Sequence, residues 1–300
     1  MKLNLAIIAW FHGAKFHCAL HSYRCTVYAF FNPKIPGDAA CVIFKLTRCV
    51  EELRDWLNEN MLKLNDSKTE FFIASSPHNM YRLADTKIQI GEAEITPSST
   101  IKNLGVHFDS AMTMSDHVTS VCKSINFILW NLSKIRRYIT KEACSNAMRA
   151  LVLSKLDYAN ALLSCCRGKD TTRLQRLQNR AARIVFQVPR RHSSLPLLNS
   201  LHWLPVDKRI QFKVLLHIYK TLNGLSPVYL EECVKTHKPS RDGLRSSKDQ
   251  SRLTIPRSQK YIGDGSFSVF GSRLWNNLPL SIRSSPSVHI FKRSLKTHLY

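Results

Sequence analysis

The sequence is poor in acidic residues and in glycine. It contains 21 Asp and Glu against 44 Lys and Arg, and only 10 glycines in 300 residues. There is no glycine-rich phosphate loop and no Gly-x-Ser-x-Gly turn, which argues against a nucleotide-binding loop of that kind and against the serine hydrolases that use this turn. No apolar run approaches the roughly 18 residues that a membrane helix needs, so we expect no membrane partner.

Metal-binding and disulfide patterns are also missing. The nine cysteines form no Cys-x-x-Cys pair, and no cysteine pair is followed by a matching His or Cys pair, as a zinc finger requires. His12, His17 and His21 are the densest histidine group, but no carboxylate or thiol pattern accompanies them. The sequence therefore predicts no metal site.

Cysteine usage favours a reduced intracellular protein, nuclear or cytoplasmic. The apolar start of the chain, residues 3–11, superficially resembles a signal peptide. It is interrupted by Asn4 and is followed by His12 and Gly13 rather than by a small-residue cleavage site, so we expect that the protein is not secreted.

Positive charge is abundant and unevenly distributed. The hydrophobic content of 44% and the charged content of 22% are typical of a globular chain, long enough for two domains. Residues 1–100 hold 11 basic and 10 acidic side chains, whereas residues 101–300 hold 33 and 11, which accounts for nearly all of the net charge of +23. An extended basic region points first to nucleic acid and second to an anionic membrane surface.

The front of the chain has a mixed pattern. Residues 42–64 carry an apolar face at helical spacing, formed by Leu46, Cys49, Val50, Leu53, Trp56, Leu57 and Met61. Residues 69–74 and 101–108 are predicted to be strands, and residues 87–95 a hairpin. This segment is therefore predicted to be α+β.

The rest of the chain is predicted to be mostly helical. We expect helices over residues 118–138, over residues 140–163 with Thr140 as N-cap, over residues 172–187 with Asp170 or Thr171 as N-cap, and over residues 206–222. Residues 235–260 are predicted to be a linker or mobile loop, and residues 267–300 to pack back on the helices.

The third of these helices carries a row of arginines. Arg173, Arg176, Arg180 and Arg183, here called the arginine row, fall within about 80° of arc over about 15 Å of helix. Next to them lies an apolar stripe of Leu174, Leu177, Ala181, Ile184 and Val185, so one face can pack while the guanidinium groups meet phosphates. The alternative is a merely solvated basic face, although no acidic residue lies between Thr171 and Val206 to neutralise it.

Further basic residues extend this set at predicted helix ends. They are Arg136, Arg137, Arg190 and Arg191, together with Lys134. We predict that the arginines contact nucleic acid, although cations at these places also interact favourably with helix dipoles.

Several motifs, in order along the chain, carry a family resemblance. Residues 62–72 (Leu-Lys-Leu-Asn-Asp-Ser-Lys-Thr-Glu-Phe-Phe) and 101–109 resemble the end of the polymerase palm in reverse transcriptases of non-LTR (LINE, jockey- and CR1-like) retrotransposons. Residues 156–161, 174–184 and 201–206 resemble the thumb and the region after it in the same proteins. Residues 270–279 and 291–300 resemble their carboxyl-terminal end.

One departure from the family bears on activity. The family has a Tyr-Ala-Asp-Asp box whose paired carboxylates hold two Mg²⁺ ions. Here Phe16-His-Cys and Val27-Tyr resemble the flanks of that box, but residues 1–37 contain no Asp or Glu at all. The resemblance also implies that the fingers, the earlier palm motifs and any endonuclease domain would lie upstream of Met1. Lys68 matches a lysine near the family's nucleotide site, where it has no metals to assist.

These observations predict a palm-like segment over residues 1–115, a thumb-like helical region over residues 116–225, and a basic linker and tail over residues 226–300. The resemblance implies a catalytically inactive remnant of an RNA-directed DNA polymerase, without Mg²⁺ or another cofactor, whose basic helices bind the phosphate backbone of RNA or DNA. One alternative is a translated retroelement relic without biochemical activity. Another is a working polymerase that takes its carboxylates from a second chain.

Overall fold

A computed structural model of the chain gives an α+β fold, which confirms the predicted class at that level. The residues divide into two compact units, Met1–Thr113 (unit 1) and Met114–Tyr300 (unit 2). The structure describes residues 2–10, 17–21, 24–30, 35, 37–65, 69–75, 86–90, 93–237, 251–258 and 261–300, with backbone alone over most of the first 30.

Unit 1 contains one long helix and a set of short strands. The helix, α1, spans Asp38–Glu59. The strands are β1 (Lys2–Trp10), β2 (His17–His21), β3 (Arg24–Phe30), β4 (Lys63–Leu64), β5 (Glu70–Ile73), β6 (Ile88–Ile90), β7 (Ala93–Ile95), β8 (Pro97–Ser98), β9 (Thr100–Asn103) and β10 (Val106–Asp109).

The main sheet of unit 1 has the strand order β2-β3-β1-β5-β8, with β4 paired to β1. Strand β1 runs parallel to both β3 and β5, whereas β2 and β3 are antiparallel. Side chains alternate across β5, so Phe71 and Ile73 join the core under α1 while Phe72 and Ala74 join a second cluster with Ile101. Burial on both faces explains why this strand is apolar at consecutive positions.

The helix prediction for the front of the chain was correct in type and partly wrong in extent. Helix α1 buries Leu46, Val50 and Leu57 as expected, and it also buries Val42. It ends at Glu59, where the side-chain amide of Asn60 donates to the Trp56 carbonyl oxygen, so the last predicted member of the apolar face, Met61, lies outside the helix and is exposed. Trp56 is also half exposed.

Two of the strand predictions were confirmed and one was wrong. Strand β5 is buried, and β6 and β7 form the expected antiparallel hairpin. Residues 101–108, predicted to be one strand, form a second hairpin instead, in which β9 pairs with β10. Leu104 and Gly105 both have positive φ, the combination that closes a two-residue hairpin turn.

Unit 2 is helical. Its α-helices are α2 (Ser115–Ile135), α3 (Lys141–Met148), α4 (Ser154–Asp157), α5 (Gly168–Phe186), α6 (Leu195–Ser200), α7 (Val206–Leu222), α8 (Val228–Glu231), α9 (Tyr261–Asp264), α10 (Ser272–Asn276), α11 (Leu280–Arg283) and α12 (Val288–Leu299). Short 3₁₀ segments lie at Arg136–Tyr138 and Asn160–Cys165, and π-helical turns at Arg149–Leu153 and Phe267–Gly271.

The helix predicted over residues 140–163 is interrupted. Its N-cap was predicted correctly, because the Thr140 side chain accepts a hydrogen bond from the Ala143 amide. A π-helical turn, Arg149–Leu153, then separates α3 from α4. The chain leaves the helix at Tyr158, whose backbone is extended, and Ala159 follows with a φ of 51°. The apolar spacing continues through these changes, which is why it did not predict them.

The carboxyl-terminal residues complete the core of unit 2. Tyr219 of α7 stacks on Phe291 of α12, with ring centres 4.2 Å apart, and Trp275 packs against the same phenylalanine. This confirms that residues 267–300 pack back, and residues on both sides of position 225 contribute to one core. Leu253 is buried in that core, and the Trp275 indole donates a hydrogen bond to the Ser251 carbonyl oxygen. The linker prediction was therefore wrong for Ser251 and Leu253. Residues 238–250 lie outside the described part of the chain.

None of the described helices has the length and apolar character needed to cross a membrane.

Candidate nucleic-acid interface

Helix α5 begins earlier than the sequence predicted. It starts at Gly168, with Arg167 in the N-cap position, so neither Asp170 nor Thr171 is the cap. Asp170 lies in the first turn and is 1% exposed. Its carboxylate accepts hydrogen bonds from the Ser115 hydroxyl at 2.9 Å and from Arg173 at 3.2 Å, so it joins the starts of α2 and α5 instead of capping α5.

The apolar stripe of α5 holds the helix in place. Leu174, Leu177, Ala181 and Val185 are buried, and Ile184 is half buried. The buried Gln178 also lies on this side, where its amide donates to the Leu204 carbonyl oxygen at 2.8 Å. Because one side of α5 is anchored in this way, its remaining side chains have a defined direction toward α2 or toward solvent.

The arginine row divides into two exposed and two half-buried members. Arg176 and Arg180 are exposed, whereas Arg173 and Arg183 are half buried. Arg173 is engaged by Asp170 and by the Thr119 hydroxyl, both at 3.2 Å, and Arg183 donates to the His192 carbonyl oxygen at 3.1 Å. Arg180 reaches across to the Asn126 side-chain oxygen on α2 at 3.2 Å.

A basic cavity of about 780 Å³, open to solvent, lies between α2 and α5 and the segments that follow them. Seven cationic side chains line it, and none of the described residues that line it carries a carboxylate. This basic cavity brings together three members of the arginine row and most of the basic residues predicted to extend it. The seven are Lys134, Arg136, Arg137, Arg176, Arg180, Arg183 and Arg190.

Two predicted contact residues lie elsewhere. Arg173 is held by Asp170 outside the cavity lining. Arg191 is exposed in the turn after α5 and is likewise not among the lining residues. These two arginines are therefore not part of the group of cations that lines the basic cavity.

Arg136 has a structural role, because backbone carbonyl groups hold its guanidinium. Its guanidinium donates to the carbonyl oxygens of Ile184, Val185 and Ile139, at distances between 2.7 and 3.2 Å. Ile184 and Val185 are in the last turn of α5, where carbonyl groups lack partners within the helix. Arg136 therefore caps α5 from the end of α2, and this contact fixes how the two helices meet beside the cavity.

The sequence did not indicate that α2 contributes uncharged residues to the same place. Asn126 and Ser133 line the cavity together with Lys134 and Arg137. These positions are i, i+7, i+8 and i+11, which is one face of a helix. The spacing can be read from the sequence, but it does not tell which other helix the face meets.

Cysteines beside this region are not arranged for nucleophilic chemistry. Burial raises the pKa of the Cys122 thiol, and the nearby Arg173 only partly opposes that effect. Burial likewise raises the pKa of the Cys144 thiol, with Arg136 opposing it. Both thiols therefore stay protonated at neutral pH, in the less reactive form.

The flanks of the segment that resembles the catalytic box are paired with each other. His17 lies opposite Tyr28 and Cys18 opposite Val27 in the antiparallel β2–β3 pair. The chain between and along these strands contains no Asp or Glu, and Mg²⁺ is held in proteins mainly by carboxylate and other oxygen ligands. The donor set does not fit Mg²⁺. Lys68 lies outside the described residues, within which no group of three His, Cys, Asp or Glu could hold a metal.

Comparison with known proteins gives no relative: no protein family model, no curated protein and no solved structure matches the chain.

Proposed function

We propose that the chain is a catalytically inactive remnant of a non-LTR retrotransposon reverse transcriptase, and that its basic helices bind RNA or DNA through the phosphate backbone. The basic cavity between α2 and α5 is the observation that carries the binding proposal. The remnant identity rests on the ordered motifs of the sequence, and the inactivity on the missing carboxylates.

The seven cationic side chains of the basic cavity favour the binding of anions. Like charges at such separations repel, and the lining offers no carboxylate to offset the repulsion. A chain of phosphates supplies several negative charges at once and releases its own counterions on binding. A polyanion therefore matches this surface better than a single small anion does.

The exposed arginines are the best placed for phosphate. Arg176 is exposed, and within the described part of the chain it makes no hydrogen bond or ion pair. Arg180 is exposed and has a single hydrogen bond, to Asn126. Their guanidinium groups keep donors available in the fork geometry that suits phosphate. Arg136 instead acts by positioning α5.

The test is the salt dependence of binding. Binding of a labelled primer–template mimic, followed by fluorescence anisotropy between 50 and 400 mM salt, should weaken linearly on a log–log plot. In an Arg176→Gln/Arg180→Gln variant, the slope should fall by about 0.7 to 0.9 for each phosphate that is no longer neutralised. Glutamine keeps helix propensity, so helix content by circular dichroism should not change.

A matched control exists on α12. Lys292 and Lys296 are exposed, are four residues apart as Arg176 and Arg180 are, and do not line the cavity. A Lys292→Gln/Lys296→Gln variant removes the same charge and should leave the slope unchanged. Equal slopes in the folded arginine variant and the wild type would refute the assignment of the cavity, and absence of salt-dependent binding would favour the inactive relic.

Polymerase activity tests the other half of the proposal. Primer extension on a poly(rA)–oligo(dT) template should give no incorporation above a buffer control with either Mg²⁺ or Mn²⁺, because the matching segment lacks carboxylates. Reproducible incorporation by the purified chain would refute the inactivity.

A further inference from the structure

An aromatic side chain lies on the face of α2 that lines the basic cavity. The cavity is lined on this side by Asn126, Ser133, Lys134 and Arg137. Trp130 is four residues after Asn126 and three residues before Ser133. Residues three and four apart are neighbours on a helix surface, with Cβ atoms about 5 to 6 Å apart. Trp130 is not among the lining residues, but its position on α2 is therefore adjacent to residues that face the cavity.

Trp130 belongs to a group of exposed aromatic residues. Phe127 precedes it by one helical turn, and Tyr138 follows in the 3₁₀ segment after α2. Phe127 is 66% exposed, Trp130 50% and Tyr138 72%. We call these three residues the aromatic strip. Three large rings exposed within twelve residues of the chain leave apolar area in water, and exposed apolar patches mark interaction surfaces.

Cations sit directly against two of these rings. The Lys134 ammonium lies 3.4 Å from the centre of the Trp130 ring, and the Arg137 guanidinium 4.7 Å from that of Tyr138. Lys134 and Arg137 also line the basic cavity. An aromatic surface and a phosphate-attracting charge therefore occur in direct contact, with the cation over one face of each ring.

We propose that the aromatic strip stacks the bases of an unpaired strand whose phosphates occupy the basic cavity, so that this interface takes single-stranded RNA or DNA. The inference rests on the proposed function and specifies its substrate class. In a duplex the bases are already stacked and paired, so their faces are not available to side chains, whereas a single strand offers them. Charge complementarity favours nucleic acid over a protein partner, since every charged side chain among the described residues that line the adjoining cavity is cationic.

The first experiment compares two strands with the same phosphates. A labelled single-stranded oligothymidylate and an abasic strand of equal length are titrated into the full chain at one salt concentration. The strand with bases should bind at least about five-fold more tightly, because stacking on aromatic side chains contributes for each base. A blunt duplex of matching length should gain nothing from the aromatic strip.

The variants separate stacking from charge. Trp130→Ala/Phe127→Ala should remove the preference for the strand with bases and leave the salt slope unchanged. Arg176→Gln/Arg180→Gln should do the opposite, lowering the slope and keeping the preference. Trp56→Ala is the matched control, because Trp56 is also 50% exposed and lies in unit 1; it should change neither quantity.

Tryptophan fluorescence supplies a second measurement. Trp203 and Trp275 are buried, and Trp10 and Trp56 belong to unit 1, so Trp130 beside the basic cavity should account for most of the quenching when oligothymidylate binds. A Trp130→Phe variant should lose that quenching while the Trp56→Phe variant keeps it.

The outcomes distinguish the two proposals. Salt-dependent binding with equal affinity for the two strands would overturn the stacking inference and leave the proposed function in place. Failure of both strands to bind in a salt-dependent way would overturn both. A Trp130→Ala/Phe127→Ala variant that keeps the base preference but changes the sedimentation of the free protein would assign the aromatic strip to protein association and overturn the inference.

Discussion

The two units differ in how they are built and in their charge. The main sheet of unit 1 pairs strands that are distant in the sequence, such as β1 with β5, whereas unit 2 consists of helices packed on one another. Residues 1–113 contain 12 basic and 11 acidic side chains, and residues 114–300 contain the other 32 and 10. The excess positive charge is therefore concentrated in the helical unit, and the independence of the two units can be tested.

The largest expected effect comes from removing a core ring in each unit. Phe291→Ala deletes the partner of Tyr219 and Trp275 in unit 2, and Phe71→Ala deletes a fully buried ring in unit 1. Each should lower the free energy of unfolding of its own unit by about 3 to 5 kcal/mol. Hydrogen exchange followed by mass spectrometry should show faster exchange in α7 and α12 for Phe291→Ala, and in α1 and β5 for Phe71→Ala. Faster exchange throughout the chain in both variants would contradict the division into units.

A substitution in the β9–β10 hairpin of unit 1 should have a smaller effect, which in this case is an increase in the free energy of unfolding. Leu104 has a φ of 46° and is 59% exposed, so it bears the cost of left-handed backbone without burying its side chain. Leu104→Asn places a residue that tolerates this conformation before Gly105, and should stabilise unit 1 by about 0.5 to 1 kcal/mol in urea unfolding. Leu104→Ala is the control and should not stabilise it.

The smallest expected effect is a pH dependence in unit 2. Burial lowers the pKa of His217 below its ordinary value of 6.5, with Lys213 and Lys220 acting in the same direction. The unfolded chain therefore binds a proton more readily than the folded one, and stability present above about pH 6.5 is lost as the pH falls toward the lower folded pKa.

Two variants, compared with the wild type, test whether His217 causes this pH dependence. Between pH 7.5 and 5.5, the urea midpoint should fall less in His217→Gln than in the wild type. His298→Gln, at an exposed position on α12, should behave as the wild type does. An equal fall in all three proteins would contradict the assignment to His217.

Local patterns predicted the helices well because the information that forms them is local. Helix α7 has the predicted limits, and Thr140 caps α3 as predicted. The strand pairing of unit 1 was not predictable in the same way, since nothing in the spacing of β1 shows that β3 and β5 flank it. The turn at Leu104 was missed because leucine is not a usual residue for positive φ.

The part of the candidate interface that lies on one helix was predictable from the sequence, whereas the contacts between the two helices were not. The spacing of the arginine row placed Arg176 and Arg180 on the exposed side of α5, as the structure shows. The role of Arg136 depends on contacts with residues 48 and 49 positions away, which no local pattern contains. For the same reason, the cavity-lining face of α2 with Trp130 beside it becomes visible only when α2 and α5 are seen together.

The crowding of cations in the basic cavity has a consequence for the stability of the protein on its own. Seven like charges in a space of about 780 Å³ repel one another, and that repulsion opposes folding. Dissolved ions weaken it, because the screening length falls from about 30 Å at 0.01 M to about 10 Å at 0.1 M salt. Salt should therefore raise the melting temperature of the free protein while it weakens the complex, and both responses should diminish together in Arg176→Gln/Arg180→Gln.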